Sequence, residues 1–244
     1  MSIVGTSIAA APAFGPLIGY FISEHSGFTT IFAFLFLMGS ALLTLIAWNL
    51  PETRPKDVEP PAKIWKGMRL VFRNPKTVIY AIMTGLATGV GFCYFAESPF
   101  VFQNLLHLKE FHAYSFILIG LSWVMGGQIS YRLSIKGYPS HQIMKYGAYG
   151  SSLSGLITVV LLTYIDPQNS IIFGSIIVSG VVMTMTSLGL VIPNAISLGI
   201  EPYRENAGTA ASVFGFTYYT TASILTFAIA SLRNNNPIFM SEFF

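Results

Sequence analysis

Residues 28–50 read FTTIFAFLFLMGSALLTLIAWNL, without an Asp, Glu, Lys or Arg among them. A bilayer core about 30 Å thick is crossed by about 20 apolar helical residues, so this stretch predicts a membrane span. Comparable stretches lie at 1–22, 77–102, 113–133, 143–165, 170–199 and 207–232. Seven spans predict an all-α, polytopic membrane protein. The composition of the 244 residues agrees, with 53% hydrophobic and 9% charged against roughly a quarter charged in soluble domains. A soluble globular protein is excluded. The 13 basic and 10 acidic residues leave a net charge of +3, and no basic run is long enough to track a phosphate backbone, so nucleic acid is not an expected partner. The lone cysteine, Cys93, forms no internal disulfide and no cysteine-based metal cluster.

The first span is not read as a secretory signal. It has no Lys or Arg ahead of its apolar run and no small-residue cleavage site followed by a polar mature domain. Orientation follows from the basic residues, which concentrate in cytoplasmic loops. Arg54, Lys56, Lys63, Lys66, Arg69, Arg73 and Lys76 fall between the second and third spans; Arg132, Lys136, Lys145 and Arg204 fall in later loops on the same side. The opposite loops hold only Lys109 and Arg233. This predicts a cytoplasmic N-terminus and an outer C-terminus. Seven-helix receptors and rhodopsins have the opposite hand, and a retinal Schiff base needs a late lysine where this chain has none after Lys145.

The organisation is two spans in 1–50, a basic cytoplasmic linker in 51–76 and five spans in 77–244. In the linker's second half Ile64, Trp65, Met68, Val71 and Phe72 share a helical face among Lys63, Lys66, Arg69 and Arg73. That pattern reads as a basic amphipathic helix on the inner leaflet, with an ordinary solvated loop as the alternative.

Small residues recur every four positions at Ala11, Gly15 and Gly19, beside Pro12 and Pro16, and again at Gly85 and Gly89 and at Ala207, Ala211 and Gly215. Stacked on one face, they let a neighbouring helix come close, although generic helix packing yields the same spacing. The run Ala11-Pro12-Ala13-Phe14-Gly15-Pro16-Leu17-Ile18-Gly19 resembles the Gly-Pro-rich signature in the fifth helix of drug:proton antiporters of the major facilitator superfamily. It departs from that signature at Ala11 and Tyr20, where the family has glycines. Leu50-Pro51-Glu52-Thr53 is similar to the close of the family's sixth helix, and Ser98-Pro99-Phe100-Val101 to the outer end of the seventh helix in the Bcr/CflA drug-resistance branch. Pro193-Asn194-Ala195, Glu201-Pro202 and Ala207-Gly208-Thr209-Ala210-Ala211-Ser212 are similar to the tenth-to-eleventh helix region of the same branch.

The resemblance covers helices five to eleven of twelve, and so implies a partial chain. It implies a fold of two rocking halves and proton-coupled efflux of small amphipathic drugs or metabolites. The expected partners are the lipid bilayer, that substrate and protons, with no cofactor and no metal. The competing reading is a non-transporting membrane remnant or interaction partner.

An aromatic cavity with few polar groups suits such substrates. The candidates are Phe92, Tyr94 and Phe95 in the third span, Trp123, Gln128 and Tyr131 in the fourth, and Phe214 and Tyr218, four apart, in the last. Lipid contact or helix packing accounts for them equally well. Glu97 is the acid inside a span, and about 30 Å of helical rise from Lys76 puts it near the outer interface. It reads as a hydrated interfacial residue or as a cation-attracting group at the outer mouth. Asn194 after Pro193 is expected to satisfy carbonyls freed by the kink. His25, His107 and His112 are placed in outer loops, and His141 lies about 15 Å of helical rise from Ser151. No nucleophile–base pair or metal motif emerges, so the chain is not expected to be an enzyme.

Overall fold

The computed structural model describes residues 15–51, 68–69, 71–165 and 169–231, without the side chains of 204–206. Every regular element among them is helical. Helix α1 (residues 15–26) and α2 (Phe28–Asn49) are separated by Gly27, whose φ of 82° reverses the chain within one residue. Helix α3 (Pro75–Pro99) starts with Asn74 accepting from the Lys76 amide at 3.1 Å and with Pro75 in the first turn, which needs no amide hydrogen there. Pro99 removes a backbone donor, and the helix continues as a π-helical turn, Phe100–Leu105. Next come α4 (Lys109–Ile135), a turn at Gly137 (φ 86°), α5 (Ser140–Tyr164), α6 (Ser170–Ile200), a 3-10 turn (Glu201–Asn206) and α7 (Ala207–Ser231).

Six of these helices, α2 to α7, are long and apolar enough to cross a membrane. They match the second to seventh expected spans, whereas most of the first, with Ala11 and Pro12, lies outside the described residues. Of the linker, Met68 and Val71 are described. They pack with Ile200, Tyr203, Ala210 and Val213, while Phe72 is exposed. Met68 and Val71 thus meet the 3-10 turn and the start of α7, and the part of the linker that carries Lys63, Ile64, Trp65 and Lys66 lies outside the described residues.

Helix α6 is the axis of the bundle, with α3, α4 and α5 packed around it and α7 laid along α3. Apolar surface gives helices little reason to associate inside a bilayer, so close backbone approach and interhelical hydrogen bonds must hold them. Both are present. A methyl on Gly126 of α4 would overlap the Thr186 carbonyl oxygen of α6, and one on Gly147 of α5 would lie 2.6 Å from the Ser187 carbonyl oxygen. Gly180 of α6 lies under Thr158 of α5, where Ser154 donates to the Gly180 carbonyl at 2.9 Å. Asn194 donates to Ser130 on α4 at 2.7 Å and to the Leu190 carbonyl at 2.8 Å. It therefore ties α6 to α4, but its carbonyl partner is not the one freed by the proline: Pro193 leaves the Gly189 carbonyl without an amide donor, whereas Leu190 is the ordinary partner of the Asn194 amide.

Only one of the three small-residue faces makes a close crossing. A methyl on Gly85 would lie 2.6 Å from both Tyr218 O and Thr221 Cβ of α7, and one on Gly89 would lie 2.8 Å from Leu225. At Gly15 and Gly19 it would meet nothing within 4 Å. Ala207 and Ala211 are exposed, and a methyl on Gly215 would reach only Tyr218 of its own helix. The side of α7 that meets α3 starts one turn later, at Tyr218, Thr221 and Leu225. Helix α2 has no buried residue, and Trp48 is 83% exposed.

Candidate functional site

A cleft of ≈ 390 Å³ opens between α1, α3 and α4. Helical spacing builds its walls. Pro16, Tyr20 and Ser23 come from one side of α1; Phe95, Pro99 and Gln103 recur every four residues through α3 and its π turn; Lys109, His112, Ala113 and Phe116 line one side of α4. Phe95 and Phe116 stack with centroids 6.0 Å apart, and the buried Tyr94 packs edge-on to both. At the rim the Lys109 ammonium lies 2.7 Å from Glu24 and 5.5 Å above the Tyr20 ring. The hydrogen bond from Lys109 holds the Glu24 carboxyl below the ordinary carboxylate range.

His112 is the residue that sequence reasoning misplaced. It is 4% exposed, within the first turn of α4, and its Nε2 lies 2.9 Å from Ser98 Oγ of α3. Its ring stacks on Phe102 at 5.2 Å and meets the edge of Phe116 at 5.0 Å. The next turn adds a chain of bonds: Ser115 donates to the His112 carbonyl at 2.7 Å, so its oxygen is left to accept from the Tyr94 hydroxyl at 3.4 Å. Hydropathy starts this span at Ala113, yet the helix begins at Lys109, with Glu110 in the first turn where an acid complements the helix dipole. Glu110 followed by Phe111 was the signal that His112 is inside.

The structure does not gather the expected cavity residues into one place. Phe95 lines the cleft, and Tyr94 is buried behind it. Glu97 is 5% exposed, a buried residue and not a hydrated one; helical spacing puts it on the side of α3 that carries Gly85, Gly89 and Cys93, the side that packs against α7. Trp123 packs on the central core, while Gln128 is exposed on α4. Phe92 stacks on Tyr219 at 6.5 Å between α3 and α7. Phe214 is 2% exposed and packed directly over Gly199 of α6, so it is a helix-packing residue, with Tyr218 beside it at 6.1 Å. Among the described residues no three His, Cys, Asp or Glu side chains come together as metal ligands.

A bundle of helices long and apolar enough to cross a membrane, joined by close glycine contacts, is the architecture of a polytopic membrane protein. The chain belongs to the Major Facilitator Superfamily, whose family model matches residues 1–226. It is 27% identical over 231 residues to an uncharacterized transporter of Rickettsia bellii (strain RML369-C), covering 92% of this chain and 57% of that protein. It is 26% identical over 237 residues to the uncharacterized MFS-type transporter YdgK of Bacillus subtilis (strain 168), covering 92% and 56%. A chloramphenicol resistance protein of Pseudomonas aeruginosa is 23% identical over 236 residues, covering 94% and 52%. The chain thus spans a little over half the length of the curated relatives it matches.

Proposed function

We propose that the chain forms part of a proton-coupled efflux carrier for small amphipathic molecules, of the Bcr/CflA type, in the inner (plasma) membrane, with its N-terminal end cytoplasmic. The observation that carries this reading is the position of the aromatic cleft. Helix α1 precedes the charged linker and α3 and α4 follow it, so the cleft lies where the two halves of a rocking carrier would part and close. The chloramphenicol resistance protein among the relatives supports export of a drug-like molecule, and the eleven-to-two division of basic residues supports the orientation. Pro16, Gly15 and Gly19, with Ala11 and Pro12, would then belong to the helix that moves against α4. Efflux of an amphipathic dye by a chimaera that joins this chain to the remaining helices of the Rickettsia bellii relative, in cells lacking other exporters and with and without a collapsed proton gradient, tests it. A second reading, a non-transporting membrane partner, is favoured by the bare surface of α2. It predicts no efflux under any gradient.

A further inference from the structure

Helix α5 meets α6 along Ile143, Gly147, Ser154 and Thr158, which are buried. On its opposite side His141, Lys145 and Tyr149 recur every four residues, and all three are exposed, Tyr149 to 71%. The rise from Lys145 to Tyr164 is about 28 Å at 1.5 Å per residue, close to the roughly 30 Å of a hydrocarbon core. The Lys145 ammonium therefore stands at headgroup level on the side of α5 turned away from the bundle. Exposed tyrosines, which favour that level, accompany it: Tyr131 near the end of α4, and Tyr138 of the connecting turn, packed edge-on to Tyr146 at 6.4 Å. The turn at Gly137 (φ 86°) brings Arg132 and Lys136 to the same end. These cations have no protein counterpart. No Asp or Glu occurs between Phe111 and Ile165, and none of Arg132, Lys136 and Lys145 is in an ion pair. Glu201, the described acid at this end, lies past the end of α6, the helix that α5 meets with its other side. A further apolar helix laid over Lys145 would bury its ammonium at a cost in free energy, whereas a lipid brings a phosphate to this height. We propose that the α5 face formed by His141, Lys145 and Tyr149 binds the headgroup of an anionic phospholipid, the ammonium pairing with the phosphodiester and the imidazole and phenol donating to its oxygens. A zwitterionic headgroup carries its own cation beside the phosphate, so the unpaired Arg132 and Lys136 close by favour a lipid of net negative charge. The proposal rests on α5 crossing the membrane and not on the carrier reading.

The test offers the full chain, purified in detergent, an equimolar mixture of phosphatidylglycerol and phosphatidylcholine with the same acyl chains, and counts the lipids it retains by native mass spectrometry. The unmodified chain is expected to retain phosphatidylglycerol over phosphatidylcholine. Lys145→Gln should weaken the affinity for phosphatidylglycerol about fivefold, the worth of one cation near an anionic surface, and Lys145→Arg should keep it. Lys76→Gln, which removes an exposed cation from the first turn of α3 at the same end of the bundle, should leave it unchanged. Thermal midpoints in lipid-free detergent should be equal for all four chains, since Lys145 takes no part in the α5–α6 packing. No preference between the lipids in the unmodified chain, an effect of Lys145→Gln no larger than that of Lys76→Gln, a loss with Lys145→Arg, or a lowered midpoint that puts Lys145 within the packing would overturn the proposal.

Discussion

Gly126 and Gly189 meet backbone to backbone where α4 crosses α6: a methyl on Gly189 would lie 2.8 Å from Gly126 Cα and 3.0 Å from its carbonyl carbon. The neighbouring Gly127 faces open space. Gly126→Ala is therefore expected to destabilise the bundle by about 1–3 kcal/mol, the usual cost of overpacking, and Gly127→Ala to be close to neutral. Thermal unfolding in detergent compares the two, and equal midpoints would deny the crossing.

The α3–α7 contact gives a parallel expectation. Gly85→Leu should lower the folded yield sharply because Tyr218 and Thr221 stand against it, whereas Gly15→Leu and Gly19→Leu should be tolerated by the chain as it stands. A loss at Gly15 equal to that at Gly85 would mean that α1 is held against another helix.

Asn194 and Ser130 form the polar link between α6 and α4. Asn194→Leu and Ser130→Ala should each destabilise, with the double variant falling short of their sum by about 0.6–1.7 kcal/mol, the range of interhelical hydrogen bonds in membrane proteins. A strictly additive pair would place the bond outside the energetics.

The Glu24–Lys109 contact has a defined pH range. Glu24 is held below its ordinary value of 4.5 by the hydrogen bond from Lys109, so the contact is complete above that value and is lost as pH falls through the lower folded value. The carbon-13 chemical shift of the Glu24 carboxyl, followed through a pH titration, should stay constant from neutral pH to about pH 5. A midpoint near pH 6 or 7 would make the pair a physiological proton switch, which its depressed carboxyl does not allow.

The sequence carried the spans clearly because a bilayer imposes length and apolarity on each one. It also carried Gly85 and Gly89 as a packing face. It did not carry which glycines meet which backbone. Gly126 and Gly127 are indistinguishable as letters, and only the crossing of α4 with α6 separates them. Neither did it carry the burial of His112 or Glu97. Both stand near span ends, where hydropathy falls before the helix does; His112 is covered by Ser98 at the end of α3 and by Phe102 of the π turn, and Glu97 lies on the side of α3 that meets α7. Val71 was legible as apolar within a basic segment, but its partners, Tyr203, Ala210 and Val213, are more than a hundred residues away.

Gradient-driven export through these helices is the central claim. Its most direct measurement is efflux of an amphipathic dye from cells lacking other exporters, driven by a chimaera that joins this chain to the remaining helices of the Rickettsia bellii relative, beside the chain alone. Efflux by the chimaera that stops when an uncoupler collapses the proton gradient is the expected result. The chain alone, with α2 uncovered, is expected to retain the dye. Export by the chimaera that persists without a gradient, or no export with the chimaera folded in the membrane, would contradict the account.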